Sequence, residues 1–105
     1  MFITKEMLIE KGACSVDIAW FDSQFPNGSD YQEALNVAAA QNQFGFARWG
    51  LQQFGSLDTV LEVDELEAEA SVFFAGRIIV KGAIKIAKWL LAGEGITAGE
   101  GITAG

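Results

Sequence analysis

Apolar residues follow two different rhythms along this chain, and the change falls at Gly55. Before it the spacing is helical. Thr4 is placed to cap a short helix, with Glu6 in its first turn and Gly12 ending it. Ser15 is expected to cap a second helix, with Asp17 near its positive end and Ile18, Trp20, Phe21 and Phe25 as its apolar content. Pro26 and Gly28 resist helix, so residues 25–30 read as a turn, after which Ser29 or Asp30 caps a third helix. Its apolar residues Tyr31, Ala34, Leu35 and Ala38 recur at i, i+3, i+4 and i+7. A fourth helix from about Asn42 places Phe44, Ala47, Leu51 and Phe54 on one side, and Gly55 stops it.

Beyond Gly55 the period becomes six. Stepping by six from Val60 meets Leu66, Val72, Ile78, Ile84, Leu90, Ile96 and Ile102, all aliphatic. Two residues later runs a second column: Glu62, Ala68, Phe74, Val80, Ile86, Ala92, Ala98 and Ala104, polar only at its first member. One short strand per unit with two inward positions explains both columns. The predicted fold is therefore α+β, with an N-terminal helical head over 1–56 and a short β-solenoid of six-residue repeats over 57–105 packed on it. The closing GEGITAGEGITAG belongs to the ordered stack, because Ile96 and Ile102 keep the phase set far upstream. The glycine pairs 93/95 and 99/101 are expected at corners that require positive φ. A competing reading winds Arg77, Lys81, Lys85 and Lys88 onto one face of a cationic helix lying on a membrane. The Ile78-Ile79-Val80 run, Gly82 and the unbroken six-residue phase disfavour it.

Charge is segregated along the same segment. Asp58, Glu62, Asp64, Glu65, Glu67 and Glu69 form an acidic block, and the basic block Arg77 to Lys88 follows. The six-residue phase puts Glu65 in column with Arg77, Glu69 with Lys81 and Glu67 with Lys85. Exposed pairs of this kind contribute little each, ~0.2–1 kcal/mol, but help fix register. Glu94 and Glu100 share a column as well, so their like charges would stack.

Composition narrows the chemistry. The net charge of −7 argues against binding a nucleic-acid backbone, which needs clustered Lys and Arg. Without histidine, Cys14 has no standard base, and one cysteine forms neither an internal disulfide nor a metal cluster. Cys14 reads as a small buried residue between two helices. The acidic block lacks the glycine-centred calcium-loop pattern, and the glycine-rich units lack the Lys-Ser/Thr of a phosphate loop. No catalytic residue, metal or cofactor is expected; the chain reads as a non-enzyme. Lys5, Glu6 and Glu10 interrupt any signal-peptide pattern, and no apolar run approaches the ~20 residues that span a bilayer. A cytoplasmic setting with no membrane contact is the expectation. Phe73 and Trp89 fall off both inward columns, so they either pack under the head or form a binding patch.

The stretches ITKEMLIEKGAC, VDIAWFDSQFPNG and YQEAL, followed by VLEVDELEAEASVFFAGRIIVKGAIKI and AGEGITAGEGI, carry a resemblance over nearly the whole chain. They are similar to uncharacterised phage and prophage proteins that join a small helical head to a tail of GEGI-x-AG hexad repeats. The resemblance implies a mobile-element origin and expression in a bacterial host, and brings no catalytic residues.

The expected function is a phage-derived protein-binding module, most specifically an inhibitor of a host defence system such as CRISPR–Cas. Its candidate partner-binding residues are Glu62, Asp64, Glu65, Glu67, Glu69, Phe73, Trp89, Glu94 and Glu100, set against a basic surface of a host protein. The alternative is a self-associating structural protein, a homo-oligomer formed through an open solenoid edge at Ile96, Ala98, Ile102 and Ala104.

Overall fold

A computed structural model describes residues 1–104. Gly105, where the repeat breaks off, lies outside the described residues. The chain runs β1 (Phe2–Ile3), α1 (Lys5–Glu10), α2 (Ser15–Gln24), β2 (Ser29–Asp30), α3 (Tyr31–Ala40) and α4 (Phe44–Phe54). Eight short strands follow: β3 (Val60–Val63), β4 (Leu66–Ala68), β5 (Val72–Phe74), β6 (Arg77–Val80), β7 (Ile84–Ile86), β8 (Leu90–Ala92), β9 (Ile96–Ala98) and β10 (Ile102–Ala104). The architecture is α+β, a helical region followed by stacked parallel strands.

Local chemistry sets the helix ends. The Thr4 hydroxyl accepts from Met7 N–H and the Asp30 carboxylate from Glu33 N–H, so both act as caps. Ser15 does not. The cap of α2 is Cys14, whose side chain makes no capping bond, and Cys14 is exposed rather than buried. The fourth helix begins at Phe44, two residues later than expected, because Asn42 sits at φ 58, outside helical space. Gly55 at φ 77 stops it. Phe2–Ile3 pairs antiparallel with Ser29–Asp30, a contact with no periodic signal in so few residues. Tyr31, Ala34, Leu35 and Ala38 are all fully buried, with Phe21 and Phe46, in the head core. Tyr31 hydroxyl donates to Gly55 carbonyl at 3.1 Å, and burial pushes its pKa up to about 12.

In the strand half, β3–β6–β9, β4–β7–β10 and β5–β8 form three parallel sheets. Each strand therefore pairs with the third strand on, and three strands make one layer. Register is eighteen residues from Leu66↔Ile84, Val72↔Leu90, Ile78↔Ile96 and Ile84↔Ile102. The segment Arg77 to Leu91, the competing helix, contains no helix; it is made of β6, β7 and the start of β8 with bends between them. No helix among the described residues is long and apolar enough to cross a membrane.

The two columns form a second core: Ile78, Val80, Ile84 and Ile86 are buried, and Leu66, Ala68, Val72, Phe74, Leu90, Ala92, Ile96 and Ala98 pack around them. One correction applies at the start. Val60 is exposed and Leu61 and Val63 take the inward places, because β3 pairs with β6 one residue short, Leu61↔Ile78. Side chains alternate along a strand, so this slip turns Val60 and Glu62 outward together. It also removes the polar exception from the second column.

The corner glycines do not use positive φ, which among the described residues occurs only at Gly12, Gly28, Asn42 and Gly55. Gly93 and Gly99 are small because the layers touch there, whereas a Cβ on Gly95 or Gly101 would meet nothing within 4 Å. A Cβ on Gly93 would run into the carbonyl oxygen of Ala75, and one on Gly99 into that of Lys81.

The head joins the stack at β5. Val72 N–H donates to Trp89 carbonyl and Phe74 carbonyl accepts from Gly93 N–H, which uses the side of β5 that faces β8. Phe73 carbonyl and Ala75 N–H point the other way. The Gln32 carboxamide of α3 meets both, its Nε2 donating to Phe73 O at 2.8 Å and its Oε1 accepting from Ala75 N–H at 2.8 Å. One side chain thus closes a strand edge that would otherwise stay open.

Three outcomes are expected in chemical denaturation. Leu61→Ala lowers stability by ~1–3 kcal/mol, whereas Val60→Ala stays within about 0.5 kcal/mol of wild type; equal effects would refute the slipped register. Gln32→Ala strands Phe73 O and Ala75 N–H and lowers stability by ~1–3 kcal/mol, and Gln32→Glu, which cannot donate, does not restore it. Tyr31 binds its proton more tightly folded than unfolded, so its contribution is whole below pH 10 and is lost as pH rises toward 12. Tyr31→Phe removes that alkaline loss while sacrificing a hydrogen bond of about 1 kcal/mol.

Candidate functional surface

Each layer of the stack carries charge of one sign. The first, with its lead-in, holds Asp58, Glu62, Asp64, Glu65, Glu67 and Glu69; the second holds Arg77, Lys81, Lys85 and Lys88; the third holds Glu94 and Glu100. Alternation of sign between layers lets acids and bases meet from one layer to the next. Arg77 reaches Glu94 at 2.9 Å and Lys81 reaches Asp64 at 3.8 Å. Both pairs are solvent-exposed and worth ~0–1 kcal/mol, enough to favour one register over another but not to hold the fold.

The expected columns are corrected on the same ground. Glu67 does lie beside Lys85, directly opposite it in the β4–β7 register. Glu65 with Arg77 and Glu69 with Lys81 do not pair, since residues twelve apart stand on different sides of a three-stranded layer. Glu94 and Glu100 are not stacked either. They occupy successive corners, Glu94 N–H donating to Gly76 carbonyl and Glu100 N–H to Gly82 carbonyl.

Glu62, Asp64, Glu65, Glu67 and Glu69 are all exposed. Of these, only Asp64 has a cationic partner within salt-bridge distance among the described residues. Glu62 projects from β3 opposite Ile79 and Glu67 from β4. Glu67, Glu69, Lys85, Ala87 and Thr103 line an open groove of about 400 Å³ along the β4–β7–β10 sheet. Ala68 and Ile86 complete its lining, which holds two carboxylates and one ammonium.

The aromatic pair separates. Phe73 is 2% exposed and belongs to the head core, where Phe44 meets it edge-on at 6.4 Å. It cannot contact a partner, because the head covers the outward side of β5 and β8, reaching Leu91 as well. Trp89 stays half exposed and lies over Phe44 with ring centroids 4.4 Å apart. Beside it Lys88 Nζ donates to Asn42 Oδ1 at 3.3 Å. Ile96 and Ala98 are half-buried and Ile102 is exposed on the last layer, while Ala104 pairs by its backbone with Ile86 and its side chain lies outside the described residues. Gln32, which docks the head on the stack, gave no sequence signal. A lone glutamine on a helix face is indistinguishable from a solvated one until its strand partner is known.

Comparison with curated proteins and with solved structures finds no match. A family model, the YdhT N-terminal domain, matches residues 1–56, which takes in β1, β2 and all four helices and ends next to the Gly55 stop. Since that match covers more than half of the chain, the protein belongs to the YdhT N-terminal domain family.

Proposed function

We propose that the strand half is a three-sided β-solenoid and that the whole chain is a non-enzymatic, phage-derived protein-binding module acting in a bacterial host cytoplasm. Its target in this reading is a host defence component such as a CRISPR–Cas effector, whose nucleic-acid-binding surfaces are basic. The observation that carries it is the first layer: five exposed carboxylates, Glu62 to Glu69, of which only Asp64 has a cation within reach. Unpaired surface charge of one sign steers association with an oppositely charged protein and sets its specificity more than its raw affinity. Glu62 and Glu67 stand on strands and Asp64, Glu65 and Glu69 in the short bends beside them, so the partner meets them without ordering a long loop. Trp89 flanks the same layers and supplies an amphipathic contact at the seam with the head.

The test is a plasmid-interference assay in a host with an active CRISPR–Cas system, paired with capture of the purified effector. Expression of the chain is expected to restore plasmid uptake. Glu62→Lys/Glu67→Lys/Glu69→Lys is expected to abolish that effect and to weaken capture by at least about tenfold, equivalent to ~1.4 kcal/mol. Capture should also weaken with added salt. Full interference in the presence of well-expressed protein would contradict the inhibitor reading.

A further inference from the structure

In the first layer of the stack one strand edge is finished and its neighbour is not. Along a parallel strand, alternate residues turn their N–H and C=O groups to opposite sides. On β5 the side away from β8 is closed. The Gln32 carboxamide takes Phe73 O and Ala75 N–H, and Leu57 N–H donates to Ala75 carbonyl. Six residues earlier, on β4, the equivalent groups belong to Glu67 and Glu69. Leu66 N–H donates to Ala83 carbonyl and Ala68 carbonyl accepts from Ala87 N–H, which uses the side of β4 that faces β7. The N–H and C=O of Glu67 therefore point away from β7, and no strand among the described residues pairs with β4 on that side. This edge lies mid-chain: β3 leads into β4 and β5 follows it.

The inward side chains record the same gap. Ile84 and Ile86 of β7, with a strand on either side, are at most 2% exposed. Leu66 and Ala68, in the same two columns, are only half-buried. The mate that β4 already has shows what this strand accepts. Leu66, Glu67 and Ala68 lie opposite Ile84, Lys85 and Ile86, so apolar meets apolar on both sides of a carboxylate beside an ammonium. Charge runs acid, base, acid through the three layers, and a strand laid beneath the first would continue that order by being basic. Glu67 has no cation within salt-bridge distance among the described residues. A second copy of the chain fits this edge poorly, because β4 against β4 sets Glu65, Glu67 and Glu69 against the same three carboxylates.

We propose that the free edge of β4 takes an extended segment of a partner protein as an added parallel strand, and that this segment reads apolar–Lys/Arg–apolar. Its basic residue aligns with Glu67, and its two apolar residues cover Leu66 and Ala68 from below, as Ile84 and Ile86 do from above. In that register the first apolar residue's carbonyl accepts from Glu67 N–H, and the second apolar residue's N–H donates to Glu67 carbonyl. Main-chain bonds then give affinity and the alternating side chains give specificity. Carboxylates alone would accept any cation; the backbone edge is what selects an extended chain. Such pairing rests on the reading of the first layer as a partner-binding surface, and names the kind of segment that surface takes.

Backbone-amide NMR of the isotope-labelled chain tests it, titrated at low salt with an end-blocked peptide alternating Lys and Ile over five residues. The expected result is a set of shifts centred on Glu67 and Glu69, with a dissociation constant of about 1 mM or tighter. N-methylation of both isoleucines keeps the charge, removes the N–H that bonds to Glu67, and is expected to weaken binding at least about tenfold. Glu67→Pro removes an N–H that β7 does not use, which an edge strand tolerates, and should weaken binding as much. Glu67→Gln keeps that N–H and should lose less than about fivefold. No shift at Glu67 by ~5 mM peptide, undiminished binding of the methylated peptide, or equal binding of a Glu/Ile peptide would each overturn the proposal. Shifts at Glu67 that follow chain concentration and not peptide would assign the edge to a second copy and overturn it too. If Glu67→Pro does not fold, the methylated peptide decides. Bound peptide together with full plasmid interference would count against the host-defence target alone, and relieved interference without strand addition would leave that target standing.

Discussion

Parallel pairing at a step of eighteen residues is the constraint from which the strand half follows. A strand of three or four residues satisfies few of its own backbone groups and buries almost nothing alone. Placed between two neighbours at about 4.8 Å, it satisfies both edges, and its two inward side chains join columns shared by all layers. The aliphatic ladder, the close-packed corner glycines and the alternation of charge between layers are consequences of that single step. Moving a strand by one residue would expel two aliphatics and bring in an outward residue such as Lys85.

The helical head supplies what a repeat stack lacks at its first layer. Its core of Phe21, Tyr31, Leu35 and Phe46 is continuous with Phe73 and Ala75 of the strand half. Through Gln32 it offers two hydrogen bonds in the geometry of a missing strand, and through Phe44 and the Phe73 pocket it covers one outward face. Two of three faces remain available. The one lined by Glu67 and Lys85 holds the groove, and the one lined by Glu62, Ile79 and Thr97 is open. The head thereby decides which outward faces of the stack stay exposed.

Much of this was legible in the sequence, for a physical reason: side-chain burial repeats with the strand, so inward positions announce themselves as columns. Helix ends at Thr4, Asp30 and Gly55 were equally readable, because capping is local. The number of strands per layer was not. A six-residue unit is compatible with steps of twelve or eighteen, and only pairing distinguishes them, which is why Glu65–Arg77 was expected in place of Lys81–Asp64. The slip at Val60 was hidden because Val60 and Leu61 are both aliphatic. Burial of Phe73 and the capping role of Gln32 depend on helix–strand contacts more than forty residues apart in one case, beyond any local pattern. For the candidate surface, exposure of the carboxylates was readable and their ion pairs were not.

The eighteen-residue step is tested most directly by cysteine cross-linking in a Cys14→Ser background. Glu67 and Lys85 face outward side by side across β4 and β7, at a spacing a disulfide spans. Glu67→Cys/Lys85→Cys should oxidise rapidly to an intramolecular bridge, and Glu67→Cys/Ile79→Cys, twelve residues apart, should not. Bridging at twelve residues with none at eighteen would contradict a stack with three strands to the layer.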